Sequence, residues 1–594
     1  MRTEVFDIEV YRDYFLIGCR DVDTGEVTAF EQWPGNPLDV RRVRKHFGAR
    51  RIVGFNSKRF DAPLVALALT GASCETLKLV ADAIITKNLQ PWQVSKQFDF
   101  EIPDWDHIDI FDVAPGVATS LKIYAGRLHS KRMQDLPIEP DASIADVDRE
   151  RLRDYCLGSD TVATVDLWRS LQPQIALREV MSAQYKLDLR SKSDAQIAEA
   201  VIKAQVTEVL ARPVERPTIA PGTVYRYAPP YFITFQGEVL REALALVCAQ
   251  EFVVGDSGSI QMPKAISSLK LTIGSSTYKM GIGGLHSTEQ GISHYADSDT
   301  VLVDRDVASY YPAIILGCGL YPKHLGPAFL RVYDKIVQRR LAAKHSGDKV
   351  TADALKITIN GAYGKLGSKW STLYSPDLLI QVTLTGQICL LMLIEMLEGQ
   401  GISVVSANTD GIVIKCPRAL QSRMDACIWT WEQMTGFDTE AAEYRSLHSR
   451  DVNNYIAVKT DGSAKLKGAY APAGLMKNPQ NEISAEAARE FLKNGTPVEQ
   501  TVRACQDMRK FITVRQVRGG GVDQSGAYLG RAVRWYYSTE VEGPLRYKVN
   551  GYTVPRSEGA RAAMEMPASI PADLDFDWYV RDAQSILVDV GIVQ

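Results

Sequence analysis

Residues 300–316 read TVLVDRDVASYYPAIIL. The β-branched and leucine run up to Val307 predicts a buried strand. That strand carries two acids, Asp304 and Asp306, spaced two apart and so on one face. A turn with Ser309, Tyr310, Tyr311 and Pro312 follows. Such a stretch can be a buried strand with an acidic end, and spacing alone does not choose between the two acids.

Working outward, helical patterns cover about 327–345 and 351–366. In the second, Lys356, Asn360 and Tyr363 fall at steps of four and seven, on one helix face, with Gly364 at its end. A Lys-Asn-Tyr face is a poor core stripe and a good binding surface. Arg340 and Lys344 stand i, i+4 on the preceding helix. The ordinary reading of that pair is a solvated face, but with Lys356 it can clamp a triphosphate. VVSANTDGIVIK then predicts a tight hairpin at about 402–416 with Asp410 at its tip, a second carboxylate to oppose Asp306.

The N-terminal third reads differently. VFDIEV, YFLIGC and EVTAF predict a meander, and RIVGF (51–55) a further strand before a helix from about Phe60. Asp7 and Glu9 share a strand face, which is costly unless a cation sits between them. Asn56, Phe60 and Asp61 lie at a strand-to-helix junction, and Tyr155 and Asp160 on a later helical stretch, 145–172. Converging carboxylates suit hard divalent cations and two-metal phosphodiester chemistry. Pro213, Pro217, Pro221, Pro229 and Pro230 mark an extended connection between this compact α/β unit, ending near 175, and the second.

The chain has 594 residues, which suggests about four structural units, and 45% apolar with 23% charged residues excludes a disordered or collagen-like protein. Its net charge of −3 gives no global sign of nucleic acid. Residues 501–550, however, hold nine Lys/Arg against four acids (Asp507, Asp523, Glu540, Glu542), with Trp535, Tyr536 and Tyr537 interleaved. That pattern reads equally as a solvated basic surface or as a surface for phosphates, whose binding would weaken with salt. Nine cysteines without a C-x-x-C pair, and an N-terminus lacking an apolar leader, fit a reducing cytosol and no secretion. No apolar run of about 18 residues is evident, so no membrane span is expected.

In order, Asp306-x-x-Ser309-x-Tyr311-Pro312, Lys356-x3-Asn360-x-x-Tyr363-Gly364 and Thr409-Asp410 resemble motifs A, B and C of family B DNA polymerases. Asp7 and Glu9, Asn56-Phe60-Asp61, and Tyr155 with Asp160 resemble the three motifs of the 3′→5′ proofreading exonucleases fused to them. Ser120-Leu121-Lys122 resembles the element that holds a frayed single strand, and Lys465 and Lys467 in KLKGAY the palm element that holds the primer. The sequence departs from the family at Tyr310 (Leu), Gly361 (Ser), Asn408 (Asp) and Gly411 (Ser). Four residues, rather than three, separate Tyr155 from Asp160. Five steps on an α-helix rotate about 500°, so either the helix bulges or Tyr155 is not the water-orienting residue.

The resemblance implies an α/β and α+β multidomain fold. A ribonuclease-H-like exonuclease (1–175) would precede a connector and N-terminal palm (176–299), palm (300–325), fingers (326–367), palm (368–478) and thumb (479–594). It selects Asp306 over Asp304. It implies Mg²⁺, two ions per site with Mn²⁺ as an alternative, held by Asp306 and Asp410 and by Asp7, Glu9, Asp61 and Asp160. Nucleotide contacts would come from Tyr311, Ser309, Arg340, Lys344, Lys356, Asn360 and Tyr363. DNA contacts would come from Asn56, Phe60, Ser120, Leu121, Lys465 and Lys467. Only 50 residues separate Asp306 from Lys356 and 54 separate Lys356 from Asp410, which leaves no room for terminal-protein insertions. A compact bacteriophage-type replicative enzyme is expected, in the host cytoplasm, acting on primer-template DNA and dNTPs with a helicase or processivity factor. The competing readings are a nuclease with a degenerate polymerase half, a non-enzymatic DNA-binding replication factor, and a polymerase that starts chains without a primer.

Overall fold

The computed structural model describes residues 2–518, 520–540 and 543–592. The chain condenses into two compact units. The first comprises Met1–Ser193, Pro472–Ile483 and Arg503–Tyr579, and the second Asp194–Ala471, Ser484–Val502 and Val580–Gln594.

The first unit is built on five strands: β1 (Thr3–Val10), β2 (Phe15–Asp21), β3 (Val27–Gln32), β4 (Arg51–Gly54) and β5 (His107–Asp109). Their spatial order is β3-β2-β1-β4-β5. The first three form the antiparallel meander, and β4 and β5 add in parallel. Parallel pairing needs a crossover, and the segments between β1 and β4 and between β4 and β5 contain helices Val40–Gly48, Asp61–Ala68, Cys74–Lys87 and Pro91–Phe98.

The tail corrects two expectations. Residues 479–594 do not form a unit of their own, because 503–579 condense with the N-terminal unit. Nor are Trp535, Tyr536, Tyr537 and Arg534 a phosphate-facing surface. Strand Ala532–Tyr537 is buried along its whole length, and Arg534 is 0% exposed. The Arg534 guanidinium donates to the carbonyls of Ala563, Ser130, Lys131 and Met564. A charge so committed to internal acceptors holds the tail together. Arg503 and Arg509 are paired with Asp577 and Asp507, which leaves the tail less basic towards solvent than its composition suggests. Glu542, and Gly519 of the glycine run, lie outside the described residues.

The second unit centres on a 10-stranded sheet. Strand Thr300–Val307 lies inside it between Gly411–Pro417 and Thr439–Asp451, antiparallel to both. Helices Pro327–Ser346 and Lys349–Lys365 and hairpin Ser403–Asn408/Gly411–Pro417 form as the periodicity predicts. Helix Pro376–Glu398, not anticipated from the pattern, is apolar on nearly every face. It is long and apolar enough to cross a membrane, yet it lies buried in the core of this unit. A helix hydrophobic all round belongs either in a core or in a bilayer, and here burial decides.

Candidate active sites

In the first unit β1 presents Asp7 and Glu9, and helix Asp61–Ala68 begins with Asp61. Glu9 and Asp61 are buried, 7% and 4% exposed. The turn before Asp61 is organised by an acid the sequence reading passed over. Asp109 accepts from the Asn56 and Lys58 N–H groups, both at 2.9 Å, and Asn56 takes a left-handed φ of 60°. Phe60 precedes the helix and packs on the apolar core beside β1.

The extra residue before Asp160 is accommodated by a π-helical turn, Cys156–Asp160, set between helices Asp146–Tyr155 and Thr161–Ser170. The Thr161 N–H bonds back five residues to the Cys156 carbonyl. One turn here therefore spans five residues instead of four, as single π turns in α-helices do. Tyr155 and Asp160 are brought close enough that each acts on the other, the carboxylate pushing the phenol up and the phenol pulling the carboxyl down.

These acids crowd one another. Burial, then the charges of Asp61, Asp160 and Glu9, push Asp7 well above the ordinary carboxylate range, against the pull of Lys122. Burial and then Asp160 do the same to Glu9. Burial and Asp109 raise Asp61 to about 8. Asp160 rises to about 6 through burial, opposed by Lys122 and by the nearby Tyr155 hydroxyl. Oxygens of Asp7 and Glu9 lie within 4.8 Å of each other and of the Cys156 sulfur. Burial raises that thiol further, so it stays protonated and is a poor metal ligand. Four crowded carboxylates facing one ammonium group form a set of hard oxygen donors of the kind divalent cations take. Ser120 caps helix Leu121–Arg127, its Oγ accepting from the Ile123 N–H at 3.4 Å, while Leu121 packs inward.

In the second unit the two acids of the central strand part company. Asp304 is buried, 6% exposed. It accepts from the Lys465 ammonium at 2.8 Å and from the Tyr444 hydroxyl. Asp306 keeps half its side chain exposed, with Lys465 at 3.4 Å. Opposite it, Asp410 sits exposed at the hairpin tip, its carbonyl accepting from the Val307 N–H at 2.8 Å. Burial and Asp304 raise Asp306, and Asp410 adds to the repulsion. Asp410 is raised too, by partial desolvation of its carboxylate against the pull of Lys467. Lys465 is tied to Asp304 and Asp306, whereas Lys467 is exposed. The Lys465 ammonium beside Asp306 stands where a cation is favoured.

A cleft of about 740 Å³ opens on Asp306 and is lined by Ser309, Arg340, Lys344 and Lys356 among others. Arg340 donates to Ser309 Oγ at 3.0 Å. Lys344 reaches Glu440 at 3.4 Å, an exposed pair that competes weakly with a phosphate. Tyr311 and Tyr363 stand outside that lining and stack on each other, ring centroids 3.9 Å apart. Tyr363 also bonds Thr383 at 2.6 Å. Asn360 is exposed on the helix face it shares with Lys356.

Each departure from the motif pattern has a local partner. Tyr310 buries its ring and donates to the Gly386 carbonyl at 2.5 Å. At Gly361 a Cβ would lie 2.8 Å from Ala198 Cβ and from the Asp194 carbonyl, so a side chain there would push helix Asp194–Leu210 away. At Gly411 a Cβ would lie 2.1 Å from Asp306 Oδ1. Asn408 donates to the Val452 carbonyl at 2.9 Å, which an ionised aspartate cannot do.

No protein-family model and no curated protein matches the chain. Among solved structures it is similar to the family B DNA polymerase from the hyperthermophilic archaeon Pyrobaculum calidifontis. The identity is 15% and the TM-score 0.40, over 100% of this chain and 78% of that one.

Proposed function

We propose that the chain is a template-directed DNA polymerase of the B family with a 3′→5′ proofreading exonuclease. In this reading the first unit carries a ribonuclease-H-like nuclease and the second a right-hand polymerase. The observation that supports it is the contrast in chemistry between the two carboxylate groups. One crowds Asp7 and Asp160 against the buried Glu9 and Asp61, and the other opens at Asp306 on a cleft lined with Arg340, Lys344 and Lys356. A nuclease needs only to hold and cleave a phosphodiester, whereas a polymerase must also neutralise a triphosphate.

Asp306 and Asp410 would hold divalent ions in the second unit, and Asp7, Glu9, Asp61 and Asp160 in the first. Such ions activate a hydroxyl or water and neutralise the leaving phosphate. Arg340, Lys344 and Lys356 bind the triphosphate. The Tyr311–Tyr363 stack lies under the sugar and the nascent base pair and excludes a 2′-hydroxyl. Tyr155, fixed by Asp160, orients the attacking water for excision. Lys467 grips the primer, and Asn56, Phe60, Ser120 and Leu121 hold its frayed end. The short spacings support a compact phage-type enzyme working with a helicase or clamp-like factor and without terminal protein. The nine free thiols fit the host cytoplasm.

Incubating primed template with Mg²⁺, with and without dNTPs, tests the proposal. Extension with nucleotides and 3′ degradation without them are expected. Degradation alone would leave the nuclease reading with a degenerate polymerase half, for which Asn408 is the motive. No metal-dependent turnover at either site would leave only a DNA-binding factor.

A further inference from the structure

Lys122 is the cation whose charge reaches Asp7, Glu9 and Asp160. Its Nζ lies 5.4 Å from the centre of the Tyr155 ring. A flexible ammonium beside four crowded carboxylates would ordinarily fall onto them, as Lys465 does on Asp304 and Asp306. Lys122 instead donates to Asp135 Oδ1 at 2.6 Å. The other oxygen of that carboxylate accepts from the Tyr528 hydroxyl at 3.2 Å.

Tyr528 comes from the tail, on strand Ala527–Gly530. Its hairpin is anchored by buried Gln524, which donates to the Gly543 and Ala560 carbonyls and accepts from the Ala562 N–H. Two glycines fit the tail against this contact. A Cβ at Gly530 would lie 2.7 Å from Asp135 Cβ, and one at Gly521 would lie 2.7 Å from the Tyr528 hydroxyl. The Lys548 ammonium lies over the Tyr528 ring, 4.6 Å from its centre.

We infer that Asp135 and Tyr528 are positioning residues that withhold Lys122 from the carboxylate cluster and so keep it open to divalent ions. The inference rests on reading Asp7, Glu9, Asp61 and Asp160 as metal ligands. It gives the tail a second task, that of setting the metal affinity of the nuclease site.

The test uses the full chain with Asp306→Ala and Asp410→Ala, which silence the second site, and titrates Mn²⁺ by calorimetry. Asp135→Asn should weaken Mn²⁺ binding about 10-fold, the scale of groups that orient metal ligands. Tyr528→Phe should weaken it roughly 3-fold, the scale of one lost hydrogen bond. Adding Lys122→Met to Asp135→Asn should restore the affinity, because the competing ammonium is gone. In the otherwise wild-type chain, Asp135→Asn should raise the Mg²⁺ concentration for half-maximal excision and leave kcat intact at saturation. Unchanged Mn²⁺ affinity in both single variants, or no restoration by Lys122→Met, overturns the inference and spares the nuclease reading. A parent chain that binds no Mn²⁺ overturns the metal-site reading and the inference with it.

Discussion

Asp61 in the first carboxylate group is 4% exposed, whereas half of the Asp306 side chain faces solvent in the second. The first group gathers four acids, and its ammonium is tied to a separate carboxylate, Asp135. The second opposes Asp306 and Asp410 and lets Lys465 lie directly against its acids. Burial makes mutual repulsion strong, so the first group is held together by surrounding packing and pays for it in carboxylate acidity. Exposure makes repulsion weak, and the second group leaves room on one side for a large anionic ligand. The same residue type thus makes a tight acidic pocket in one unit and the floor of a wide cleft in the other.

The strongest way to break this comparison is to remove one acid from each group. Asp410→Ala should lower primer extension by roughly 10³-fold or more and spare excision, and Asp7→Ala should do the reverse. A folded variant that loses both activities would mean the two groups serve one reaction.

Next in size is the helical turn at Tyr155. Inserting one alanine after Gly158 rotates Tyr155 and Asp160 a further 100° or so apart and should cut excision by about 10- to 100-fold. Deleting Gly158 should do little. The turn relaxes to an ordinary α-helix in which the pair, now four steps apart, still meets. Equal losses from both changes would show that the π turn itself, and not the pairing it restores, is what matters.

On the open side, Gly411→Ser should displace the Asp306 carboxylate, since a Cβ there would lie 2.1 Å from Oδ1. Extension should drop by about 10-fold while excision holds, measured on the same primed substrate. Unaltered extension would mean that Asp306 turns freely to a second productive rotamer.

The smallest effect sharpens the contrast in burial. Asp61 moves from an ordinary value of 3.8 to about 8 in the folded chain. The folded state therefore binds a proton that the unfolded chain releases, and stability is lost as pH rises across that window. In EDTA, the melting temperature of the first unit should fall between pH 5 and pH 8. Asp61→Asn should flatten the slope and raise stability at pH 8 by about 1–3 kcal/mol. Asp410→Asn should leave it nearly unchanged. Similar shifts for both variants in a calorimetric scan would erase the distinction.

Much of this was legible in local pattern. The β1–β3 meander, the two helices after Gly326, the 403–417 hairpin and both sets of acids follow from side-chain periodicity and turn chemistry, which act over a few residues. Helix Pro376–Glu398 was not legible, because an element apolar on every face carries no periodic signal. The tail misled for a related reason. Arg534 and Trp535 look like a nucleic-acid surface in composition, but composition does not record which face of a strand is covered.

The amino-acid sequence by itself determined which chemistries the chain carries and in what order, since the carboxylates, the cationic helix faces and the hairpin are properties of short segments. Only the tertiary structure decided their use. It buried Asp304 beneath Lys465 and left Asp306 open. It absorbed an extra residue in a π turn so that Tyr155 meets Asp160. It brought Tyr528 from the far end of the chain to Asp135. The first and last of these depend on partners more than a hundred residues away, which no local pattern encodes, while the π turn resolves an alternative that the spacing left open.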